Sequence, residues 1–500
     1  MKKEKIFVII VAKVVIIVDI ISILLSVLFF VNIIFAGLII FIEEKKDATS
    51  AWAWLMVLFF IPVLGFILYL ILGQNLSRKR LFDWEDLKKI GIEDLIKEQS
   101  EALRNDEFHF TRDETKEFRD LIYMQLVNNG AVLTEDNHVD IFTDGREKFE
   151  QLLEDIEKAT DHIHLQYYIF RHDHLGSRLI YALTKKAKEG LDVRILYDDM
   201  GSRKLTKNVF FSFKKAGGKV GVFFPKRIPF INMRLNYRNH RKLVIIDGKI
   251  GYIGGFNVGD EYLGLNPKFG YWRDTHLRIV GSVVKAMQTR FILDWNQASQ
   301  THYISYRKSL FPDIEPQGDT SAQIVSSGPD SEWEQSKNGY IKLITSAKES
   351  VYIQTPYFIP DQSLMDALRI AALSGKDVKV MIPNKPDHPF VYWATYAHAG
   401  ELLKTGARVF IYEAGFIHAK MMVVDGKVCS VGTANIDNRS FKLNFEVNAF
   451  IYDKPTSENL VSIFNQDLIQ SQELTLERYN ERSLWIKFKE SISHLLSPIL

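Results

Sequence analysis

A nineteen-residue pattern occurs twice in this chain, and the repeat limits the folds open to it. From Asn239 the sequence reads Asn-His-Arg-Lys-Leu-Val-Ile-Ile-Asp-Gly-Lys, and from Ile417 it reads Ile-His-Ala-Lys-Met-Met-Val-Val-Asp-Gly-Lys. His240, Lys242, Asp247, Gly248, Gly254 and Asn257 thus return as His418, Lys420, Asp425, Gly426, Gly432 and Asn435, always 178 residues on. A bare His-x-Lys-x4-Asp arises by accident in roughly one chain of this length in twenty. Two copies at constant offset, each with the same turn and the same glycine and asparagine after it, mark an internal duplication.

The surroundings repeat as well. In the first half a helix is predicted over Lys148 to Thr160, a strand over Ile163 to Phe170, a helix from Ser177 to Glu189 and a strand over Val193 to Tyr197. The second half offers the same order at Lys337 to Lys348, Val351 to Phe358, Ser363 to Leu373 and Val378 to Ile382. Alternating strands and helices predict an α/β sandwich in each half. The expected plan is a membrane anchor over 1–75, a helical connector over 76–130, a first α/β half over 131–310 and a second over 311–482. The motifs occupy 235–262 and 413–440 of those halves, and an amphipathic helix follows over 483–500.

Two apolar runs, about 18–42 and 52–72, are long enough to cross a ~30 Å hydrocarbon layer. Lys2, Lys3 and Lys5 precede them and Arg78, Lys79 and Arg80 follow, whereas the short connection mixes Lys45 and Lys46 with Glu43, Glu44 and Asp47. Counting positive charge predicts a multi-pass protein of the cell membrane with its catalytic part in the cytoplasm. A net charge of +2 excludes a general polyanion binder, so attraction to phosphate has to be local. The single Cys429 excludes an internal disulfide and a thiolate metal cage.

Residues 201–246 hold twelve Lys or Arg and no acid, interleaved with Phe210, Phe211, Phe213, Phe223, Phe224, Phe230 and Ile231. Such a surface suits anionic lipid headgroups; with an anchored chain it speaks against nucleic acid. At the other end Leu484, Trp485, Phe488, Ile492, Leu495, Leu496 and Ile499 share one helical face, which either docks on the core or lies in the membrane interface.

On a strand, the His and Lys of each motif point to one face, and the apolar residues after them are buried. Two such units, docked by pseudo-twofold symmetry, would surround a phosphate with two imidazoles and two ammonium groups. One histidine can attack phosphorus while the other acts as acid and then base. Asp274 and Glu446 are the candidates to orient the imidazoles, and the amides of Asn257 and Asn435 to help hold phosphate. Arg238 and Arg241 are placed to receive the first phosphatidyl group. Asp247 and Asp425, in Asp-Gly hairpin turns, are expected to brace backbone. Thr433 stands where the first copy has Gly255, so a hydroxyl near substrate is expected from one side only. No metal-ligand spacing appears and lysines at the centre would repel a cation, so no metal or other cofactor is expected.

The doubled motif resembles that of the phospholipase D superfamily. With the paired apolar runs, Tyr-Trp-Arg-Asp-Thr-His from Tyr271 and Asn-Phe-Glu from Asn444, the chain is similar nearly end to end to the bacterial cardiolipin synthases of that superfamily. The resemblance implies joining two phosphatidylglycerols into cardiolipin with release of glycerol, through a phosphatidyl-histidine and without metal. It carries His240, Lys242, Asp247 and His418, Lys420, Asp425 over as the catalytic motifs, with His240 as nucleophile. Phosphatidylglycerol and anionic membrane lipid are the implied partners, and homo-oligomer formation is left open.

Overall fold

In the computed structural model, residues 2–43, 48–62, 64–72, 82, 85–206, 208–225, 236–385, 387–495 and 497 are described. The chain forms two compact units, one of residues 1–75 with 227–236 and the other of 76–226 with 237–500. Both predicted halves therefore share a single unit.

That unit is built on two copies of one strand order. Outward from the centre, the first half runs Thr134–Phe142, His276–Val280, Ile250–Gly254, Leu243–Ile246, His162–Tyr167, Asp192–Asp198 and Lys219–Phe223. The second runs Thr320–Ser327, Asn444–Tyr452, Val428–Gly432, Met421–Val424, Ser350–Gln354, Asp377–Pro383 and Arg408–Tyr412, with Ser471–Leu474 added at its edge. The central strands Thr134–Phe142 and Thr320–Ser327 pair antiparallel and join the two sheets. In both halves the inner strands are antiparallel and the outer ones parallel, except that the edge strand Ser471–Leu474 is antiparallel, and the parallel pairs are linked through helices such as His174–Lys188 and Gln362–Leu373.

Period-two geometry sends alternate residues of the motif strands into different cores. Leu243, Ile245, Met421 and Val423 enter one core spanning both halves, capped by Phe291 and Trp295 from one helix and Leu460 and Phe464 from another. Val244 and Ile246 face the outer helices of the first half, and Met422 and Val424 those of the second. Burial on both faces is why these stretches read as continuous apolar runs. The Asp-Gly turns after them take left-handed backbone at both positions: φ is +52° at Asp247 and +64° at Gly248, +53° at Asp425 and +61° at Gly426. That is the two-residue turn whose twist matches an antiparallel hairpin.

The other unit holds a 42-residue helix, Lys2–Glu43, whose segment Val15–Leu38 is apolar and long enough to cross a membrane. The expected second crossing over 52–72 is not one helix. It breaks at Pro62, which lacks the amide hydrogen a helix interior needs, into Ala48–Phe60 and Leu64–Leu72. Gly65 lies against the backbone of Leu58, so close that an added Cβ would sit 3.1 Å from the Leu58 Cα. Phe35 stacks on Phe66 with ring centres 3.8 Å apart, which ties the long helix to this bend. The basic flank at Arg78, Lys79 and Arg80, Glu44 to Asp47 of the short connection, and Phe230 and Ile231 of the basic segment all lie outside the described residues.

The C-terminal helix, Leu484–Leu495, packs against the helix Pro389–Leu403, with His494 Nε2 3.5 Å from Glu401. Leu496 and Ile499 of its expected apolar face lie outside the described residues.

Candidate active site

Each motif histidine follows a short strand that pairs with the other half. Arg238–Asn239 runs parallel to the start of Asn444–Tyr452, and Gly415–Ile417 runs parallel to Tyr271–Arg273. The His240 amide donates to the Phe445 carbonyl at 3.0 Å, and the His418 amide to the Arg273 carbonyl at 2.7 Å. The residue after each acceptor is a carboxylate. Glu446 holds His240 Nδ1 with both oxygens at 2.9 Å, and Asp274 Oδ2 lies 2.6 Å from His418 Nδ1. The orienting carboxylates are thus exchanged between halves, and neither histidine site is complete without the other.

Both carboxylates are fully buried. Burial alone would raise their pKa values, but the facing imidazoles and the motif lysines outweigh it and hold both below the usual carboxylate range. An ionised carboxylate can only accept a hydrogen bond, so each Nδ1 carries the proton and each Nε2 is left unprotonated, that of His418 facing the Lys420 ammonium. Burial pushes His240 down to about 4, with Glu446 opposing and Lys242 assisting. Burial and then Lys420 push His418 down to about 3. Both imidazoles are neutral at physiological pH.

Lys242 and Lys420 are buried, and each ammonium donates at 2.6 Å to the carbonyl of its own motif histidine. Lys420 Nζ also lies 3.0 Å from both ring nitrogens of His418. Burial lowers Lys242 to about 7 and Lys420 to about 8, the two carboxylates opposing the shift in each case. Burial makes both ammonium groups costly to keep charged, and a phosphodiester beside them would offset that cost.

The remaining predicted residues separate into those facing this cluster and those bracing it. Asp247, counted in the catalytic motif, accepts from the amides of Thr160, Asp161 and His162 at 2.8 to 3.0 Å. Asp425 accepts from those of Lys348, Glu349 and Ser350, each at 2.8 Å. Both pin the start of a neighbouring strand and face backbone, not the imidazoles. Arg241 is no phosphate receiver: its guanidinium grips Asp294 at 2.8 and 2.9 Å and donates to the Glu446 carbonyl at 3.0 Å. Arg238 is buried beside Asp198, with the closest charged atoms 3.9 Å apart. Asn257 Oδ1 accepts from the Ile169 amide, and Asn435 Nδ2 approaches Asp437 at 3.2 Å.

Thr433 also departs from expectation. Its hydroxyl is fully buried and donates to Glu446 Oε2 at 2.5 Å, so it supports the carboxylate that holds His240 and does not face substrate. The matching glycine has a steric reason. A Cβ on Gly255 would lie 1.9 Å from Asp274 Oδ1, so the shorter aspartate leaves no room for a side chain where the longer glutamate admits threonine.

Sequence reasoning missed the supports around this cluster. Gln166 and Asp294 bond at 2.6 Å in the first half, and Gln354 and Asp467 at 2.7 Å in the second. Arg273 crosses between halves to reach Asp467 at 2.8 Å. The available signal was a glutamine late in the corresponding strand of both halves, in Leu165-Gln166 and Ile353-Gln354. Tyr168 meets the His240 ring edge-on at 5.0 Å, and Trp272 lies 5.1 Å from the His418 ring. Among the described residues, one further trio of metal-type ligands comes together, His398, Glu401 and His494. Arg369 already holds the second oxygen of Glu401 at 2.9 Å, and the trio serves as packing between the last helix and Pro389–Leu403.

Residues 152–295 and 340–468 match the family described as cardiolipin synthase, phospholipase D-like domain. The chain belongs to that family. Residues 24–74 also match the phospholipase D-nuclease N-terminal family. Major cardiolipin synthase ClsA of Bacillus subtilis (strain 168) is 64% identical over 479 residues, 96% of this chain and 99% of that protein. A cardiolipin synthase of Listeria monocytogenes serotype 4b (strain CLIP80459) is 61% identical over 477 residues, 95% of this chain and 99% of its own length. Among solved structures, phosphatidylserine synthase of Haemophilus influenzae Rd KW20 shares the fold with a TM-score of 0.57 and 15% identity, covering 78% of this chain and all of that one.

Proposed function

We propose that this chain is a cardiolipin synthase that transfers a phosphatidyl group from one phosphatidylglycerol to the hydroxyl of a second. The observation that carries this reading is the exchanged pair of His-carboxylate contacts around two buried lysines, in a chain whose relatives carry that name. His240 Nε2 attacks phosphorus, forming a nitrogen-phosphorus bond as the bond to the glycerol oxygen breaks. His418, protonated in the complex, gives its proton to that oxygen. The second phosphatidylglycerol then enters, His418 takes the proton from its terminal hydroxyl, and the oxygen attacks phosphorus. Cardiolipin leaves and His240 returns to its starting form. Lys242 and Lys420 neutralise the phosphate oxygens throughout. Glu446 and Asp274 balance the charge that each imidazole acquires.

The reading is tested by supplying pure phosphatidylglycerol and separating the products. Equimolar cardiolipin and glycerol are expected, with phosphatidyl label trapped on His240 in a His418→Ala variant. Phosphatidic acid as the main product would mean that water is the acceptor, and label on His418 would reverse the two roles.

The N-terminal unit is read as the anchor. Val15–Leu38 crosses the bilayer, and residues 52–72, opened at Pro62, would be about 30 Å long as a helix and cross back. Basic residues at both outer flanks of the sequence support cytoplasmic ends and a cytoplasmic catalytic unit.

A further inference from the structure

The C-terminal helix docks with the wrong side in for a helix facing water. Its fully buried residues are polar, Glu490, Ser493 and the following Ser497, with the half-buried Ile486 beside them. Its outward residues are Leu484, Trp485, Phe488 and Leu495, exposed by 84%, 63%, 55% and 76%, with Ile492 between them. A helix on a soluble domain turns its apolar stripe to the core and its polar residues outward. Here the arrangement is largely reversed, and an apolar stripe of three turns is left mostly uncovered among the described residues.

Polar contacts fix this orientation. Glu490 accepts from Arg482 at 2.7 and 2.9 Å. Ser497 Oγ lies 3.2 Å from His398 Nε2, and its carbonyl accepts from Asn438 Nδ2 at 3.1 Å. The stripe is therefore held out by specific hydrogen bonds. Trp485 and Phe488 stack at 5.6 Å and present one aromatic surface. Lys487 is exposed beside them, and Lys489 Nζ sits 5.0 Å over the Trp393 ring and 5.4 Å over that of Trp485. The acid of this helix, Glu490, is engaged by Arg482, so the outward face offers aromatic, aliphatic and cationic groups with Ser491 among them and no free acid.

We propose that this outward face is a bilayer-docking surface, which lies in the headgroup layer of an anionic membrane and holds the second half-site toward it. Leucine, isoleucine and aromatic side chains with flanking lysines are the chemistry of an interfacial helix on acidic lipid. Continuity with the site gives the docking a purpose. Asn438, bonded to the end of this helix, opens the short helix Asn438–Lys442, directly after Asn435 and Asp437. A catalytic unit attached by its N-terminal segment alone could tumble on that tether. A second contact beside the active-site loop would turn the site toward its lipid. The inference rests on the lipid-transfer reading above.

The test uses the full chain in nanodiscs containing phosphatidylglycerol. Cys429 is fully buried, so a polarity-sensitive dye can be placed selectively on an exposed Ser491→Cys of the outward face. Blue-shifted emission, quenched by lipids carrying shallow spin labels, is the expected result. Water-like emission without quenching overturns the proposal. A shielded, unquenched dye, together with disulfide crosslinking of two Ser491→Cys chains through the introduced thiols, would also overturn it, because a second copy would then cover the face. In parallel, a Trp485→Ser/Phe488→Ser/Leu495→Ser variant should lose about tenfold in turnover on bilayer phosphatidylglycerol and keep wild-type turnover on a monomeric short-chain analogue. Equal loss on both substrates would make the helix a folding element and sink the idea. Wild-type protein that quenches as expected but forms no cardiolipin would undo the lipid-transfer reading while leaving the docking intact.

Discussion

Glu446 holds the Nδ1 of His240 at 2.9 Å across 206 residues of sequence and across the boundary between the halves. Asp274 does the same for His418 across 144. The duplicated motif is therefore not two self-sufficient sites brought close together. Each half supplies a histidine and the other half's carboxylate.

This exchange makes a genetic prediction that own-half pairing would not. Glu446→Gln should copy the loss of His240, and Asp274→Asn the loss of His418, each lowering turnover by roughly three to four orders of magnitude, as loss of tautomer control does elsewhere. With a substrate carrying a good leaving group, Glu446→Gln should form almost no covalent adduct, whereas Asp274→Asn should form it and release it slowly. Quantifying acid-labile phosphatidyl label on the two variants decides the matter. The opposite assignment of the two phenotypes, with label still on His240, would show that carboxylate and histidine act within one half.

A second prediction concerns the position where the halves differ. Gly255→Ala drives a methyl group onto Asp274 Oδ1, which is itself fixed by His418 and the Thr275 amide, so neither partner can yield cheaply. Thr433→Ala removes one of the groups bonded to Glu446 and leaves His240 and Asn444 in place. Activity should fall about a hundredfold or more for Gly255→Ala and within about tenfold for Thr433→Ala. Circular dichroism and turnover on the purified variants check this, and near-equal effects would contradict the steric account.

What could be read beforehand divides along the line between local and tertiary causes. The alternating elements and the Asp247-Gly248 and Asp425-Gly426 turns depend on residues close in sequence, and they were legible. So was the bracing role of Asp247, because a turn aspartate has few other uses. Arg241 misled, since a basic residue beside a motif histidine looks like a phosphate receiver until Asp294 is found against it. Asp294 lies in the helix Val284–Ala298 and carries no pattern that announces it. The break at Pro62 was visible as a residue but not as a consequence, because membrane helices tolerate proline and no local rule fixes the bend.

That break sets the third prediction. If residues 52–72 cross back, a reporter ahead of Lys2 and one after Arg80 should lie on the same, cytoplasmic side of the membrane. If Leu64–Leu72 stays folded against Ala48–Phe60, the segment dips in and returns on its entry side, and the two reporters fall on opposite sides. Paired protease-protection or enzyme fusions at both points give one pattern or the other.

The lysines predict an alkaline limb. Lys242 titrates at about 7 and Lys420 at about 8, so their positive charge is lost as pH rises through that window. A bound phosphodiester favours the charged form and moves both values upward. The profile of kcat/KM reports the free enzyme and should decline above about pH 7, while that of kcat should hold to higher pH. A kcat/KM that climbs from roughly pH 7 to 9 would mean that the ammonium charges are not what receives the phosphate.

The last prediction follows from the two neutral imidazoles. With His240 at about 4 and His418 at about 3, neither histidine carries at physiological pH the second proton that the leaving glycerol needs. Two charged lysines balance two carboxylates, so an incoming phosphodiester leaves the buried cluster one negative charge in excess. In a site of low polarity that excess is relieved by taking up a proton, and an imidazole facing the phosphate is the natural receiver. Substrate binding would thus prepare its own acid. Calorimetry with a phosphonate analogue of phosphatidylglycerol, in buffers of different ionisation enthalpy, counts the protons directly. At roughly pH 6, where both lysines are already charged, about one proton should be taken up per analogue bound, and almost none by His418→Gln. Uptake that persists in His418→Gln and vanishes in His240→Gln would make His240 the acid. No uptake in the wild-type protein would mean that the leaving oxygen is protonated by a group other than these two histidines.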